Sequence, residues 1–237
     1  PAWANETYPF LMGTFRITGS DTVTSENQQR VFRISNCSFN TCGDLTLYSY
    51  SLEKHPVSNI YITGCKFNNM RINAHGCVNV NINNNTFTNT PFKNFTAYTY
   101  RNNSANVFNT AQIAVNWSDR VNISNNFIEG TEIYNQYCDY GIQTQLKKIF
   151  RKDVSNSKIY YCSNIKIKNN TVSRYSFGIG HLQRFDDALS GWNAGHATWG
   201  NGTHIGNEIS GNVIALHKDC QYASIFTPIW GIFALQG

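Results

Sequence analysis

The sequence predicts an all-β fold in which short parallel strands stack as a solenoid. Three observations predict it: a segment that repeats in a fixed register, Asn or Gly at one turn position of every repeat, and few charges. Of the 237 residues, 14% are charged and 14% are aromatic. Asn, Ser, Thr and Gly therefore take the place of charged side chains on much of the surface, and the aromatic content argues against a disordered chain.

Six segments share the repeat, and each is centred on an isoleucine. The residue two positions later is Asn or Gly, the residue three positions later is Cys or Asn, and the residue five positions later is apolar. The central isoleucines are Ile34, Ile62, Ile82, Ile123, Ile167 and Ile209. A fixed register over several segments is typical of solenoids, in which each coil stacks on its neighbours.

Each repeat predicts a strand, a turn and a second strand. Apolar and polar residues alternate up to the isoleucine, as in NVNINNNTF at 79–87, which is typical of a strand with one buried face. Asn and Gly tolerate left-handed backbone angles and supply the turn. Stacked coils would place the third-position side chains above one another, where Asn can satisfy buried turn amides. Cys37 and Cys65 are predicted to be small core residues of that column.

A second, looser strand separates the repeats. Its members are residues 44–47, 70–73, 111–115, 141–144, 178–181 and 231–234. The isoleucines lie 28, 20, 41, 44 and 42 residues apart, going from 34 to 62, 82, 123, 167 and 209. A bare coil needs about 20 residues, so the extra length is predicted to form loops. The last strand opens a coil that is not finished, so we expect the protein to continue, or a partner chain to cover this end.

This pattern resembles the right-handed parallel β-helix of the pectate-lyase-like superfamily. The resemblance rests on the N-x-I-x-x-N-x-hydrophobic motif and covers residues 15–237, with residues 1–14 as a lead-in or linker. Asn-rich coils, long aromatic loops and few charges are similar to phage tailspikes and tail-associated depolymerases. That resemblance implies a homotrimer, in a virion tail or outside the cell, that binds and cleaves a bacterial polysaccharide. An antiparallel β-sandwich is the alternative fold, although its hairpins need no fixed register.

Loop length indicates where a site would lie, because insertions in solenoids cluster on one face. Residues 88–110, 129–140, 145–163 and 183–203 are the long connections, and we expect them to wall a groove. Aromatic rings stack on the C–H faces of sugars, while polar neighbours bind the hydroxyls; packing of the loops is the alternative role. The predicted substrate-binding residues are Trp192, Trp199, Phe185, Arg184, Arg151, Lys152, Tyr160 and His196, the basic ones for an anionic sugar.

Candidates for catalysis come from the 14 acidic residues. Hydrolysis of a glycoside needs two carboxylates, and Asp186 with Asp187, or either of them with Glu132 or Asp139, would supply a pair. Turn capping is the alternative role of these aspartates. His181 is a candidate general base or substrate contact, and Arg151 or Lys152 would be the base if the reaction were β-elimination.

Other classes of function are disfavoured. The net charge of +5 is weaker than in dedicated nucleic-acid-binding proteins, and no apolar run is long enough to span a membrane. No Cys-x-x-Cys pair or spaced histidine set predicts a metal, and no cofactor is expected. The seven cysteines are predicted to be free and buried. A non-catalytic carbohydrate-binding or structural β-helix, and a secreted polysaccharide lyase or epimerase, remain as alternatives to the depolymerase.

Overall fold

The computed structural model describes residues 15–18, 31–48, 57–89, 111–116, 118–130, 140–145, 147–149, 158–160, 162–175, 177–182, 206–217 and 230–235. All regular elements in these residues are β-strands, and all strand pairs but one are parallel. The strands are β1 Phe15–Thr18, β2 Phe32–Ser35, β3 Ser38–Tyr48, β4 Val57–Thr63, β5 Lys66–His75, β6 Cys77–Asn83, β7 Thr86–Thr88, β8 Ile113–Asn116, β9 Asp119–Ser124, β10 Phe127–Glu129, β11 Tyr140–Gln145, β12 Lys147–Ile149, β13 Lys158–Tyr160, β14 Lys166–Lys168, β15 Thr171–Tyr175, β16 Phe177–Leu182, β17 Glu208–Ser210, β18 Val213–Leu216 and β19 Trp230–Leu235.

Two parallel sheets contain nearly all of these strands. The isoleucine sheet has the order β17-β14-β9-β6-β4-β2. The long sheet has the order β18-β15-β10-β7-β5-β8-β11-β16-β19, with β3 paired to β5 and β1 paired to β3. The start of β5 pairs with β7 and its end pairs with β8, so β5 links two wings. We call the β7, β10, β15 and β18 side the first wing, and the β8, β11, β16 and β19 side the second wing. The chain passes repeatedly from second wing to isoleucine sheet to first wing, which is compatible with a parallel β-helix.

The predicted register is confirmed for the isoleucines and for the apolar residues after the turn, and the looser strands form a third column whose register the sequence does not predict. The six central isoleucines pair in one continuous column across the isoleucine sheet. The apolar residues after the turn form a second column, Phe39, Phe67, Phe87, Ile128, Val172 and Ile214. The looser strands contribute a third column, Leu45, Ile72, Ile113, Ile142, Ile179 and Ile232. All members of these columns except Ile232, which is 50% exposed, belong to one hydrophobic core or pack against it. The parallel pairing excludes the antiparallel sandwich for the described residues.

The turn after each isoleucine strand is left-handed, as predicted. Its residues have φ angles between 54° and 66°, and they are Asn36, Gly64, Asn84, Asn125, Asn169 and Gly211. Asn is among the few residues with side chains that adopt this conformation readily, and glycine adopts it without strain. The backbone geometry of the turn therefore explains why every coil has either Asn or Gly at this position.

Gly64→Ala is expected to lower the free energy of unfolding by about 1–2 kcal/mol, because an L-residue is strained in the left-handed region. A Cβ atom at position 64 would also lie 2.5 Å from Oδ1 of Asn36. Urea unfolding of the full chain measures the loss, with Gly64→Asn as the matched control that we expect to lose less. An alanine variant as stable as the parent would contradict the left-handed turn.

The column next to the turn is a ladder of asparagines. The side-chain oxygen of each accepts the backbone N–H of the preceding coil, at 2.9 Å from Asn85 to Cys65 and from Asn126 to Asn85, and at 3.0 Å from Asn170 to Asn126. Each amide nitrogen also donates to an isoleucine carbonyl of the preceding coil, as Asn126 does to Ile82 at 2.8 Å. The ladder therefore satisfies turn amides that no backbone carbonyl reaches.

Two cysteines begin this column, and one of the two differs from the prediction. Cys65 is buried, and its thiol takes the place of an Asn amide by donating to the carbonyl of Ile34 at 3.6 Å. Cys37 is exposed rather than part of the core. It follows β2, which is the edge strand of the isoleucine sheet among the described residues, and the described column ends there. Cys77 and Cys162 are free and buried, as predicted.

The antiparallel pair was not predicted. β12 and β13 lie within the connection 145–163, which the sequence predicts as a loop, and they pair with Lys147 opposite Tyr160. Their sequences, KKI and KIY, alternate too briefly to distinguish a strand from a basic loop.

Candidate functional site

The outward face of the second wing and of β5 carries buried polar side chains. Strand residues alternate between two faces, and Ile72 and Ala74 of β5 belong to the core, so Asn73 points outward. Asn73 stands in register with Ala114 of β8, and Ala114 with Gln143 of β11. We call the outward polar residues of these strands the polar face; they are Arg71, Asn73, His75, Asn116 and Gln143.

The polar face is buried although it lies on the outside of a sheet. Gln143 is 0% exposed and Asn73 is 6% exposed. Both heteroatoms of the Gln143 carboxamide, and Oδ1 of Asn73, have no hydrogen-bond partner among the described residues. A buried amide without partners costs about 1–3 kcal/mol, so native proteins keep few of them, and each needs an explanation. The atoms of Gln143 and Asn73 without partners among the described residues therefore mark the polar face as a candidate binding site.

His75 and Asn116 form a direct contact on this face. The amide nitrogen of Asn116 lies 2.9 Å from Nδ1 of His75, and β5 and β8 hold the two residues in register. The donor of this contact depends on the tautomer of the imidazole. The contact orients the His75 ring and the Asn116 amide relative to each other.

Small residues flank Gln143, and an aromatic ring borders it. Ala114 and Gly180 are its register neighbours on β8 and β16. A Cβ atom at Gly180 would lie 2.5 Å from Cε1 of Tyr140. The Tyr140 ring therefore fits against this strand because residue 180 has no side chain. Tyr140 packs with Ala111 and Ala114 in an apolar cluster separate from the main core. Amides beside an aromatic surface are the usual components of a small polar ligand site.

Charges outside the polar face pair with one another on exposed surfaces. Lys168 and Glu208 of the isoleucine sheet are 2.6 Å apart, and the Lys168 ammonium holds the pKa of Glu208 below its usual value. Arg120 contacts Asp119 at 3.0 Å. Arg71 of the polar face is 1% exposed and brings a buried cation to that face.

Two of the predicted site residues lie in described strands. His181 of β16 stands in register with Thr144, in the column that contains the core residues Ala74 and Val115. Tyr160 belongs to β13. The other predicted residues lie outside the described residues; they are Asp186, Asp187, Glu132, Asp139, Trp192, Trp199, Phe185, Arg184, Arg151, Lys152 and His196.

The chain order nevertheless attaches these predicted residues to the strands of the polar face. Asp139 directly precedes Tyr140, the first residue of β11. Arg184 follows Leu182, the last residue of β16, by two positions. The connection that carries Glu132 and Asp139 thus enters at the start of β11. The connection that carries Asp186 and Asp187 begins after the end of β16.

The sequence interpretation did not single out the residues of the polar face. A signal was present in the looser strands, where polar side chains alternate with apolar ones in MRINAH at 70–75 and in GIQT at 141–144. Alternation on a strand ordinarily means a solvated outer face, so the sequence does not distinguish a buried polar face from an exposed one.

No protein-family model, no curated protein and no solved structure matches this chain. In the residues that the structure describes, no three His, Cys, Asp or Glu side chains are grouped as a metal site would require. Within the same residues no helix has the length and apolar character needed to cross a membrane.

Proposed function

We propose that this chain is a right-handed parallel β-helix, similar to a phage tailspike, that binds and cleaves a bacterial surface polysaccharide. The fold part of the proposal is supported by the three stacked columns and by the repeated passage of the chain between the two sheets. Solenoids of this kind present extended surfaces to long ligands, and a polysaccharide is a long ligand with repeating contacts.

The observation that carries the proposal is the pair of buried amides on the polar face. Gln143 and Asn73 offer one NH2 group, with two N–H donors, and two carbonyl acceptors without partners among the described residues, and Tyr140 places an aromatic ring alongside. Each hydroxyl of a sugar both donates and accepts hydrogen bonds. Two neighbouring hydroxyls therefore pair with the oxygen and the NH2 group of one carboxamide. The C–H face of the same sugar packs on an aromatic ring. Because Gln143 is 0% exposed and Asn73 is 6% exposed, a sugar reaches these amides only if what covers the polar face is displaced.

Cleavage is proposed to use carboxylates from the connections attached to β11 and β16. Asp186 or Asp187 would act with its neighbour, with Glu132 or with Asp139: one carboxylic acid protonates the leaving oxygen, and one carboxylate activates water or attacks the sugar. An acidic sugar would instead allow β-elimination, with Arg151, Lys152 or His181 as the base. A virion or extracellular location and a homotrimer complete the proposal; both come from the resemblance to tailspikes.

The experiment is mass spectrometry of products after incubating the protein with a panel of capsular and O-antigen polysaccharides. Fragments that have gained water support hydrolysis, and unsaturated fragments support elimination. Binding without fragments would replace the depolymerase by a non-catalytic carbohydrate-binding protein. If no polysaccharide is bound or cleaved, the proposal is wrong. Asp186→Asn and Asp187→Asn variants that cleave at the parental rate would rule out these two residues.

Gln143→Ala is expected to weaken polysaccharide binding by about tenfold, since one or two hydrogen bonds of about 1 kcal/mol each are lost. Isothermal titration with the polysaccharide that the panel identifies measures this. The matched control is Asn81→Ala, which removes a partly exposed amide from the outward side of β6 in the isoleucine sheet. Equal affinity of the parent and Gln143→Ala would remove the polar face from the proposal.

A further inference from the structure

Cys37 and Cys65 occupy equivalent positions in two adjacent coils. Paired residues flank them on both sides, with Ser35 opposite Thr63 before the turn and Ser38 opposite Lys66 after it. The backbone N–H of Lys66 donates to the carbonyl of Cys37 at 2.9 Å. The two turns therefore stack at the cysteines themselves, at the ordinary strand separation of about 4.8 Å.

The two thiols also point the same way. Each sulfur lies near the carbonyl two residues earlier, Cys37 at 3.3 Å from Ser35 and Cys65 at 3.4 Å from Thr63, and the Cys65 thiol is shared between Thr63 and the carbonyl of Ile34. Disulfides join residues whose Cα atoms are roughly 4.4–6.8 Å apart, and the stacked turns fall inside this range. Closing the bond requires rotation about each Cα–Cβ bond and a small approach of the two turns, because the Cβ atoms of a disulfide lie about 3.5–4.5 Å apart.

Their surroundings give the two thiols different roles. Cys37 is exposed and can meet a reagent from solution. Cys65 is buried, and burial raises the pKa of its thiol above the usual value, although a hydrogen bond to the Cys37 backbone lowers it in part. Access is the first requirement for thiol–disulfide exchange, so Cys37 reacts first and Cys65 second.

We propose that Cys37 and Cys65 are a dithiol that a small-molecule disulfide, such as oxidised glutathione, converts to a cross-link between the two coils. The Cys37 thiolate attacks one sulfur of the reagent, whose S–S bond breaks and releases one thiol. Cys65 then loses its proton and attacks the Cys37 sulfur, and the mixed disulfide breaks to release a second thiol. Two protein thiols are oxidised and one reagent disulfide is reduced to two thiols.

The cross-link would fasten the edge of the described fold. Cys37 follows β2, the edge strand of the isoleucine sheet, and edges open more readily than interior strands. Joining residues 37 and 65 closes a loop of 28 residues, counted as 65 minus 37, and thereby restricts the unfolded chain. The inference does not rest on the proposed polysaccharide activity.

The test exposes the reduced full-length chain to oxidised glutathione, alkylates the remaining thiols, and maps the peptides by mass spectrometry. We expect a peptide pair joined through Cys37 and Cys65, with two glutathione molecules released per chain. Cys77 and Cys162, which are buried and free, are the internal controls and should be alkylated only after denaturation. The oxidised chain should also melt several degrees above the reduced chain.

Two results would overturn the proposal. One is a stable glutathione adduct on Cys37 with Cys65 still open to alkylation after denaturation. The other is a link from Cys37 to a different cysteine. Cys65→Ala is expected to trap the adduct on Cys37, and Cys37→Ser to abolish both the reaction and the rise in melting temperature. Should Cys65→Ala fail to fold, the peptide map and thiol release of the parent chain decide the question alone.

Discussion

Asn126→Ala is expected to lower the free energy of unfolding by about 3–5 kcal/mol, because it breaks the ladder in its middle. Asn126 is 2% exposed. Its Oδ1 accepts from the backbone N–H and the side chain of Asn85 at 2.9 and 3.1 Å. Its amide nitrogen donates to the carbonyl of Ile82 at 2.8 Å and to Asn170 at 2.9 Å. Alanine would leave a buried donor and a buried acceptor unsatisfied, each at about 1–3 kcal/mol.

Urea unfolding followed by circular dichroism measures this loss, and Asn212→Ala is the matched control. Asn212 makes the same kinds of bond, to Asn170 and Ile167, but its rung is half-buried and water can replace them. We expect a loss of about 1 kcal/mol there. Equal losses of unfolding free energy at the two positions would show that the stabilisation by the ladder does not depend on burial.

Phe67→Ala is expected to cost a comparable amount, about 3–5 kcal/mol. Phe67 is fully buried and lies between two other rings of its column. Its ring centroid is 4.9 Å from that of Phe39 at an interplanar angle of 2°, and 4.8 Å from that of Phe87 at 10°. The substitution removes both ring contacts and leaves a cavity that the paired strands on each side cannot close.

The control for this variant is Phe127→Ala. Phe127 belongs to the same wing, but its side chain points outward and is 42% exposed, so we expect a change within about 0.5 kcal/mol. Thermal and urea unfolding of both variants give the comparison. A small effect at Phe67 would mean that the column of rings contributes little to stability.

The repeat was sufficient to predict most of the described fold. Left-handed turns restrict their position to Asn and Gly, and the ladder restricts the neighbouring position to a small side chain that can hydrogen-bond. Because both constraints act within a few residues, they leave a pattern in the sequence, and the register of Ile34 to Ile209 is read from it directly. Cys37 was misplaced because its local pattern is the same at the edge of a sheet as in the middle.

The predicted site depends on contacts that a repeat does not encode. Scarce carboxylates and aromatic loops indicated the residues from Glu132 to Trp199, and these remain predictions. The polar face was overlooked because Asn73 and Gln143 have the sequence pattern of ordinary solvated strand residues. Their importance comes from burial, which depends on what lies above a strand rather than on its own sequence.

The sequence by itself determined the register of the isoleucines and of the apolar residues after them, the turns between them, and most of the core that these residues form. Those features follow from local backbone angles and from side-chain alternation, which are properties of neighbouring residues. Only the tertiary structure decided that Gln143 is buried beside Gly180 and Tyr140, and that Cys37 lies open above a buried Cys65. Burial and exposure at these positions arise from residues tens of positions apart in the chain, and no local pattern records them.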